Sequence, residues 1–154
     1  HPVSTPFDTY RASDGLFVLA VASRSGFEKL AHTMDRADLI ADNRFADDTS
    51  RTDHEPALRA EIEIWAKDKT VAEVVALLGA ARLASSEIWN VEQALSSEQS
   101  RHRGLVESFD HPVAGTIDYV RQPVVFGDSA RPGVRRSPLL DEHRQPLLSE
   151  IASR

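Results

Sequence analysis

Six histidines and two acidic clusters are the side chains here with the most obvious catalytic potential, and their spacing argues against most of it. His1, His32, His54, His102, His111 and His143 contain no H-x-x-x-H or H-E-x-x-H pair, the spacing that sets two imidazoles on one helical face toward a metal. A metal site would need several of them to converge by folding, and no metal ligand is assigned. Asp141-Glu142-His143 has the side-chain types of an acid–base site. Adjacent residues on extended backbone point in different directions, so the triplet receives no catalytic role. Asp47-Asp48 precedes a helical region and reads as a charge pair favoured by the positive end of a helix dipole. The chain has no G-x-G-x-x-G, Walker A or G-x-S-x-G sequence, so nucleotide cradles and hydrolase elbows have no support. With no cysteine, disulfides, thiolate metal sites and a cysteine nucleophile are excluded. No catalytic residue is assigned to this chain.

The elements that would position any site are legible. Phe7 to Tyr10 favours a short strand, Asp14-Gly15 a turn, and Leu16 to Val21 is an apolar run of strand length. Ser25 and Glu28 have capping-box spacing, so a helix is expected to start where that strand stops. Phe27, Leu30, Ala31 and Met34 then form one apolar stripe. Leu58, Ile62 and Trp65 repeat the pattern in a helix expected over Pro56 to Lys67. Thr70 and Glu73 form a second capping box, with Val71, Val74, Val75 and Leu78 as its stripe and Gly79 as the expected C′ residue. Asn90 and Gln93 could start another helix. Leu105 to Phe109 and Thr116 to Val120 read as a hairpin, Pro123 to Pro138 as an extended loop, and a last helix begins near Pro146 with Leu147, Leu148 and Ile151 on one side. This is an α+β pattern: a small antiparallel sheet with packed helices.

Composition sets further bounds. A chain of 154 residues is about one domain and buries about 68–70% of its unfolded surface. Its apolar runs are too short to span a bilayer, and a net charge of −6 argues against a nucleic-acid surface. The basic run Arg131 to Arg136 falls within the Pro/Gly-containing loop. A cytoplasmic location is expected. Position 1 is histidine, the sole methionine is Met34, and no signal-peptide h-region is visible. The chain therefore reads as a processed product or a segment cut from a longer protein.

Taken in order, these landmarks resemble the C-terminal portion of the class III CoA-transferases, the family of formyl-CoA transferase, carnitine CoA-transferase and α-methylacyl-CoA racemase. The opening Pro-[Tyr/Phe]-x-x-Tyr-x-x-x-Asp-Gly is Pro6 to Gly15, and the Asp/Arg/Phe landmark is Asp42-Asn43-Arg44-Phe45 with Arg51. The link into a later strand is Gly79 to Ile88. The His-Pro-x-x-Gly turn is His111 to Gly115, followed by Pro123 and Phe126. The closing segment is Pro138-Leu139-Leu140-Asp141-Glu142-His143. Asp141 stands where the family usually has glycine, which aspartate can replace in the left-handed region at some cost.

The resemblance implies a small α+β domain over 1–68 and a return linker with C-terminal segment over 69–154, a single compact unit being the alternative. The linker and C-terminal segment would complete an absent Rossmann-like large domain. It implies a homodimeric parent enzyme that moves CoA between carboxylic acids through an aspartyl intermediate. That aspartate lies upstream of His1, so the chain alone is inactive and binds no cofactor. Coenzyme A, acyl-CoA and a carboxylic acid are the parent's substrates. An α-methylacyl-CoA racemase fragment and a non-catalytic binding or dimerisation module are the alternatives. In racemases of the family a glutamate frames the acyl pocket just after the second strand, where this chain has Arg24 within Ala22 to Gly26. Arg24 is therefore the substrate-facing candidate through carboxylate pairing, a solvated arginine before a helix being the alternative.

Overall fold

In the computed structural model, which describes residues 1–128, 133 and 135–153, alternation along two short strands sets the first layer. Strands β1 (Phe7–Arg11) and β2 (Leu16–Ala20) pair antiparallel, Tyr10 opposite Phe17. Tyr10, Phe17 and Leu19 are buried, while Leu16 and Phe7 are more than a third exposed, so one face of the hairpin forms the core. Strand β3 (Ala84–Glu87) joins the other side of β2, giving the order β1-β2-β3.

Helices cover that buried face. Helix α1 (Arg24–Thr33) points Phe27, Leu30 and Ala31 inward. Its cap is Ser23, whose hydroxyl accepts from the Gly26 N–H, so the expected start at Ser25 gives way to one two residues earlier. A short helix α2 (Asp38–Ala41) and a 3₁₀ turn at Asn43–Phe45 bury Leu39 and Phe45. Asp47 caps helix α3 (Asp48–Asp53) by accepting from the Ser50 N–H. Helix α4 (Glu55–Ala66) carries Pro56 in its first turn and buries Leu58 and Ile62. Helix α5 (Val71–Ala80) has the expected Thr70/Glu73 capping box and buries Val74 and Leu78.

Gly79 lies inside α5 and is not its C′ residue. That position belongs to Arg82, with φ of 58°, whose N–H donates to the Gly79 carbonyl while Leu83 N–H donates to Leu78. This bond pair is a Schellman motif, usually built on glycine.

The hairpin is fixed to the helices at both ends. At its turn, Asp14 accepts from the Val71 N–H at 2.8 Å, and Ser13 N–H donates to the Lys69 carbonyl. Along β1, Arg59 of α4 donates to the Thr9 carbonyl and Glu63 accepts from the Arg11 N–H, so helix side chains satisfy the strand's outer backbone. Near the other end sits Arg51, 1% exposed, donating to the Thr5 and Ala22 carbonyls and to Asp48, its guanidinium 5.0 Å above the Phe27 ring. Burial pushes its pKa down and Asp48 opposes that shift.

The chain divides into two units, His1–Ile88 and Trp89–Arg154. The first therefore runs past the expected boundary at 68/69, because α5 supplies core residues and β3 completes the sheet. In the second, Asn90 and Gln93 form a capping box on helix α6 (Val91–Ser96), and helix α7 (Glu98–Arg103) ends at Gly104 with positive φ. Strands β4 (Val106–His111) and β5 (Gly115–Val120) make the expected hairpin, and helix α8 (Arg144–Ala152) follows. Of the expected loop over Pro123 to Pro138, and of its basic run, residues 129–132 and 134 lie outside the described residues. Arg136 binds Glu142 and is the largest cause, ahead of the Leu139 N–H, of the fall of that carboxylate's pKa to about 2.

Two measurements follow from this core. Arg51→Met removes the donors from two backbone carbonyls and should lower unfolding free energy by about 2–4 kcal/mol, read by urea denaturation. Burial pushes the Tyr10 phenol far above its ordinary value, so the folded chain keeps it neutral while the unfolded chain ionises near pH 10. Stability should be indifferent to this group below about pH 10 and fall above it, with Tyr10 ionising on unfolding in an alkaline absorbance titration.

Candidate functional site

The segment joining β2 to α1 is the part of the first unit that the sequence singled out, and its geometry is set by small residues. Ser23 is extended, with φ −86° and ψ 155°, and turns the chain from strand into helix. At Gly26 an added Cβ would lie 3.0 Å from Val21 Cγ1 and 3.1 Å from Ser23 Oγ, so the helix start sits tightly against the strand end. Beside this turn is a cleft of about 250 Å³, lined by residues of the turn together with Lys29 of α1 and Arg82 and Leu83 after α5.

Arg24 sits at the first position of α1 but makes four hydrogen bonds within the protein. Its Nε donates to Glu28 at 2.9 Å, Nη1 to the carbonyls of Ala46 at 2.7 Å and Phe45 at 3.4 Å, and Nη2 to Ile40 at 2.9 Å. The guanidinium thus clasps α1 to the α2–3₁₀ segment. Tyr10 is a core residue beneath Arg59, 4.7 Å from ring centre to guanidinium carbon. Asp14 is more than a turn residue, since it also holds the first amide of α5.

The remaining acidic candidates serve local structure. Asp48 accepts from the Ser4 hydroxyl, the Thr5 N–H and Arg51. Asp141 has φ of 68°, the left-handed conformation that its replacement of glycine raised as a question, and pairs with Arg144 at 2.6 Å. Glu142 accepts from the Leu139 N–H and from Arg136. Among the described residues no group of three or more His, Asp or Glu could hold a metal ion, and no helix is long and apolar enough to cross a membrane.

The meeting of Lys29 and Arg82 at this cleft has no counterpart in the sequence pattern. They are far apart in the chain, and each alone resembles an ordinary surface cation. The one available signal was at α5, where Gly79 attracted the C′ assignment that Arg82 occupies.

The chain belongs to CoA-transferase family III, whose profile matches residues 1–144. It is 30% identical over 151 residues to the succinyl-CoA:mesaconate CoA-transferase of Haloarcula hispanica, covering 97% of this chain and 37% of that protein. It is 23% identical to the succinate–glutarate CoA-transferase of Agrobacterium fabrum, covering 98% of this chain and 38% of the relative. Among solved structures, Rv3272 from Mycobacterium tuberculosis matches with a TM-score of 0.81 at 27% identity, covering 91% of this chain and 39% of that one. A CAIB/BAIF family protein from Brucella suis matches with a TM-score of 0.80 at 28% identity, covering 98% and 39%. The chain spans well under half the length of these relatives.

The Arg24 clasp can be tested directly. Lysine keeps the charge but loses the planar fork that reaches several acceptors at once. Arg24→Lys should lower unfolding free energy by about 1 kcal/mol, read by urea denaturation.

Proposed function

We propose that this chain is the small-domain and C-terminal part of a homodimeric cytoplasmic CoA-transferase that moves CoA between carboxylic acids. Family membership supports the reaction class, and the burial pattern of the second unit supports the partial character. Among the described residues from Trp89 onward no apolar side chain is fully buried, whereas Trp89, Phe126, Leu140 and Ile151 are each about half exposed or more. Exposed apolar area on that scale asks for a covering surface, which the remainder of the longer enzyme would provide. In this reading the first unit, with α5 and β3 completing it, is the small domain, and the chain from Trp89 onward returns toward the large one.

The chemistry then runs through an aspartate of the upstream part. Its carboxylate attacks the acyl-CoA thioester, expelling CoA thiolate and forming an acyl-aspartyl anhydride. The thiolate attacks the aspartyl carbonyl, releasing the donor acid and leaving an aspartyl-CoA thioester. The acceptor carboxylate repeats the sequence in reverse, so one difficult exchange becomes several easier steps. This chain supplies the turn from Val21 to Gly26, which would face the acyl group. Arg24 serves as a positioning residue, holding the start of α1 against the carbonyls of Ile40 and Ala46. Its bonding is an argument against a direct pairing with substrate carboxylate.

The test begins with the intact mass of the native polypeptide, expected to be far larger than 17.0 kDa. The longer protein, given an acyl-CoA and a second carboxylic acid, should produce the new acyl-CoA by mass spectrometry. It should also yield an aspartyl-CoA adduct after rapid quenching. Loss of an α-deuterium without transfer would make the parent a racemase, and neither reaction would leave a binding module.

A further inference from the structure

We propose that Lys29 and Arg82 form an anion subsite that takes the non-reacting carboxylate of a dicarboxylic acid. The assignment rests on the CoA-transferase reading, and it names the class of acid transferred. Its starting point is the cleft of about 250 Å³ beside the β2–α1 turn, to whose lining both cations contribute along with Ser23 and Ser25. Cavities for drug-sized ligands run from about 300 Å³ upward, so this space suits a small acid. The hydroxyls and cations match a carboxylate, and the short apolar residues Ala20, Val21, Ala22, Leu83 and Ala84 beside them suit the few carbons of a small acid.

The pairing pattern of the unit separates these two cations from most of its others. Arg24, Arg36, Arg44, Arg51 and Arg59 each bond a carboxylate of the chain. Among the described residues neither the Lys29 nor the Arg82 side chain has a hydrogen-bond or ion-pair partner, although acidic residues outnumber basic ones by 24 to 18. Arg82 also holds a left-handed backbone position, φ 58°, where glycine would be the less strained residue. A guanidinium can engage both oxygens of a carboxylate, and an ammonium adds a point charge. Together they would recognise the far end of a dicarboxylate and have no partner on a monocarboxylate.

The deciding experiment is calorimetric titration of the longer native protein, with and without CoA, using succinate and butyrate. Succinate should bind measurably tighter than butyrate. Arg82→Gly should weaken succinate by about tenfold or more, leave butyrate unchanged and raise the melting temperature, since the left-handed strain is relieved. Lys29→Met should weaken succinate in the same direction. A purely structural Arg82 would give the higher melting temperature without the lost affinity, and that result overturns the proposal. Failure of succinate to bind, or equal weakening of both acids, also overturns it. Binding of inorganic phosphate that succinate does not displace would assign the cations to a phosphate and likewise reject the carboxylate. CoA transfer is assayed separately on the same preparation. Absent transfer with Arg82-dependent succinate binding would remove the transferase reading and leave the subsite standing, and the reverse result would do the opposite.

Discussion

The first unit is organised around one buried cation. Arg51 leaves α3 and enters a space where water cannot solvate it, and such a charge is tolerated only where acceptors converge on it. The carbonyls of Thr5 and Ala22 and the carboxylate of Asp48 supply them, and the face of Phe27 covers the guanidinium. These groups belong to the segment before β1, the exit of β2, α3 and α1. One side chain therefore fixes where the hairpin ends and where the first helix begins. The β2–α1 turn and the cleft beside it inherit their geometry from that junction, with Asp48 reinforcing it through Ser4 and Thr5.

Much of this arrangement was legible in the residues because local signals agreed with one another. The Asp14-Gly15 turn, the Thr70/Glu73 and Asn90/Gln93 boxes and the stripe of α4 each combine a start or stop signal with the matching period. Where two residues could serve one role, the sequence was ambiguous. Ser25 has the capping-box spacing but lies in the first turn of α1, and it is Ser23 that accepts from the Gly26 N–H, Gly26 lying tightly against Val21. Gly79 was the natural C′ candidate, yet α5 continues through it and Arg82 takes the strained position. Strand β3 has the weakly strand-forming sequence Ala-Ser-Ser-Glu and is held by its register with β2. The site was legible only in part. Resemblance pointed to Ala22–Gly26, but the approach of Lys29 and Arg82 to one cleft is a product of tertiary packing, to which one-dimensional spacing is blind.

The second unit follows different physics from the first. Its order comes from caps and polar cross-strand pairs, such as Ser108 with Asp118 and Thr116 with Asp110 on the β4–β5 hairpin. Each of these is a modest contribution. The first unit, by contrast, gathers its buried aromatics and aliphatics into one contiguous cluster. Two such different internal balances in one chain agree with the proposed reading, in which the C-terminal segment is completed by the rest of a longer protein.

The side chains of α4 along β1 have a consequence for how this sheet can grow. Arg59 and Glu63 occupy the outward backbone groups of Thr9 and Arg11, so an incoming strand would have to displace two charged side chains before forming its first ladder bond. That makes the sheet one-sided as a template: β1 is closed to cross-β recruitment, and the short polar strand β3 is the remaining flank. A misassembly pathway by strand addition would consequently propagate from Ala84–Glu87, the segment with the least apolar content to reward it.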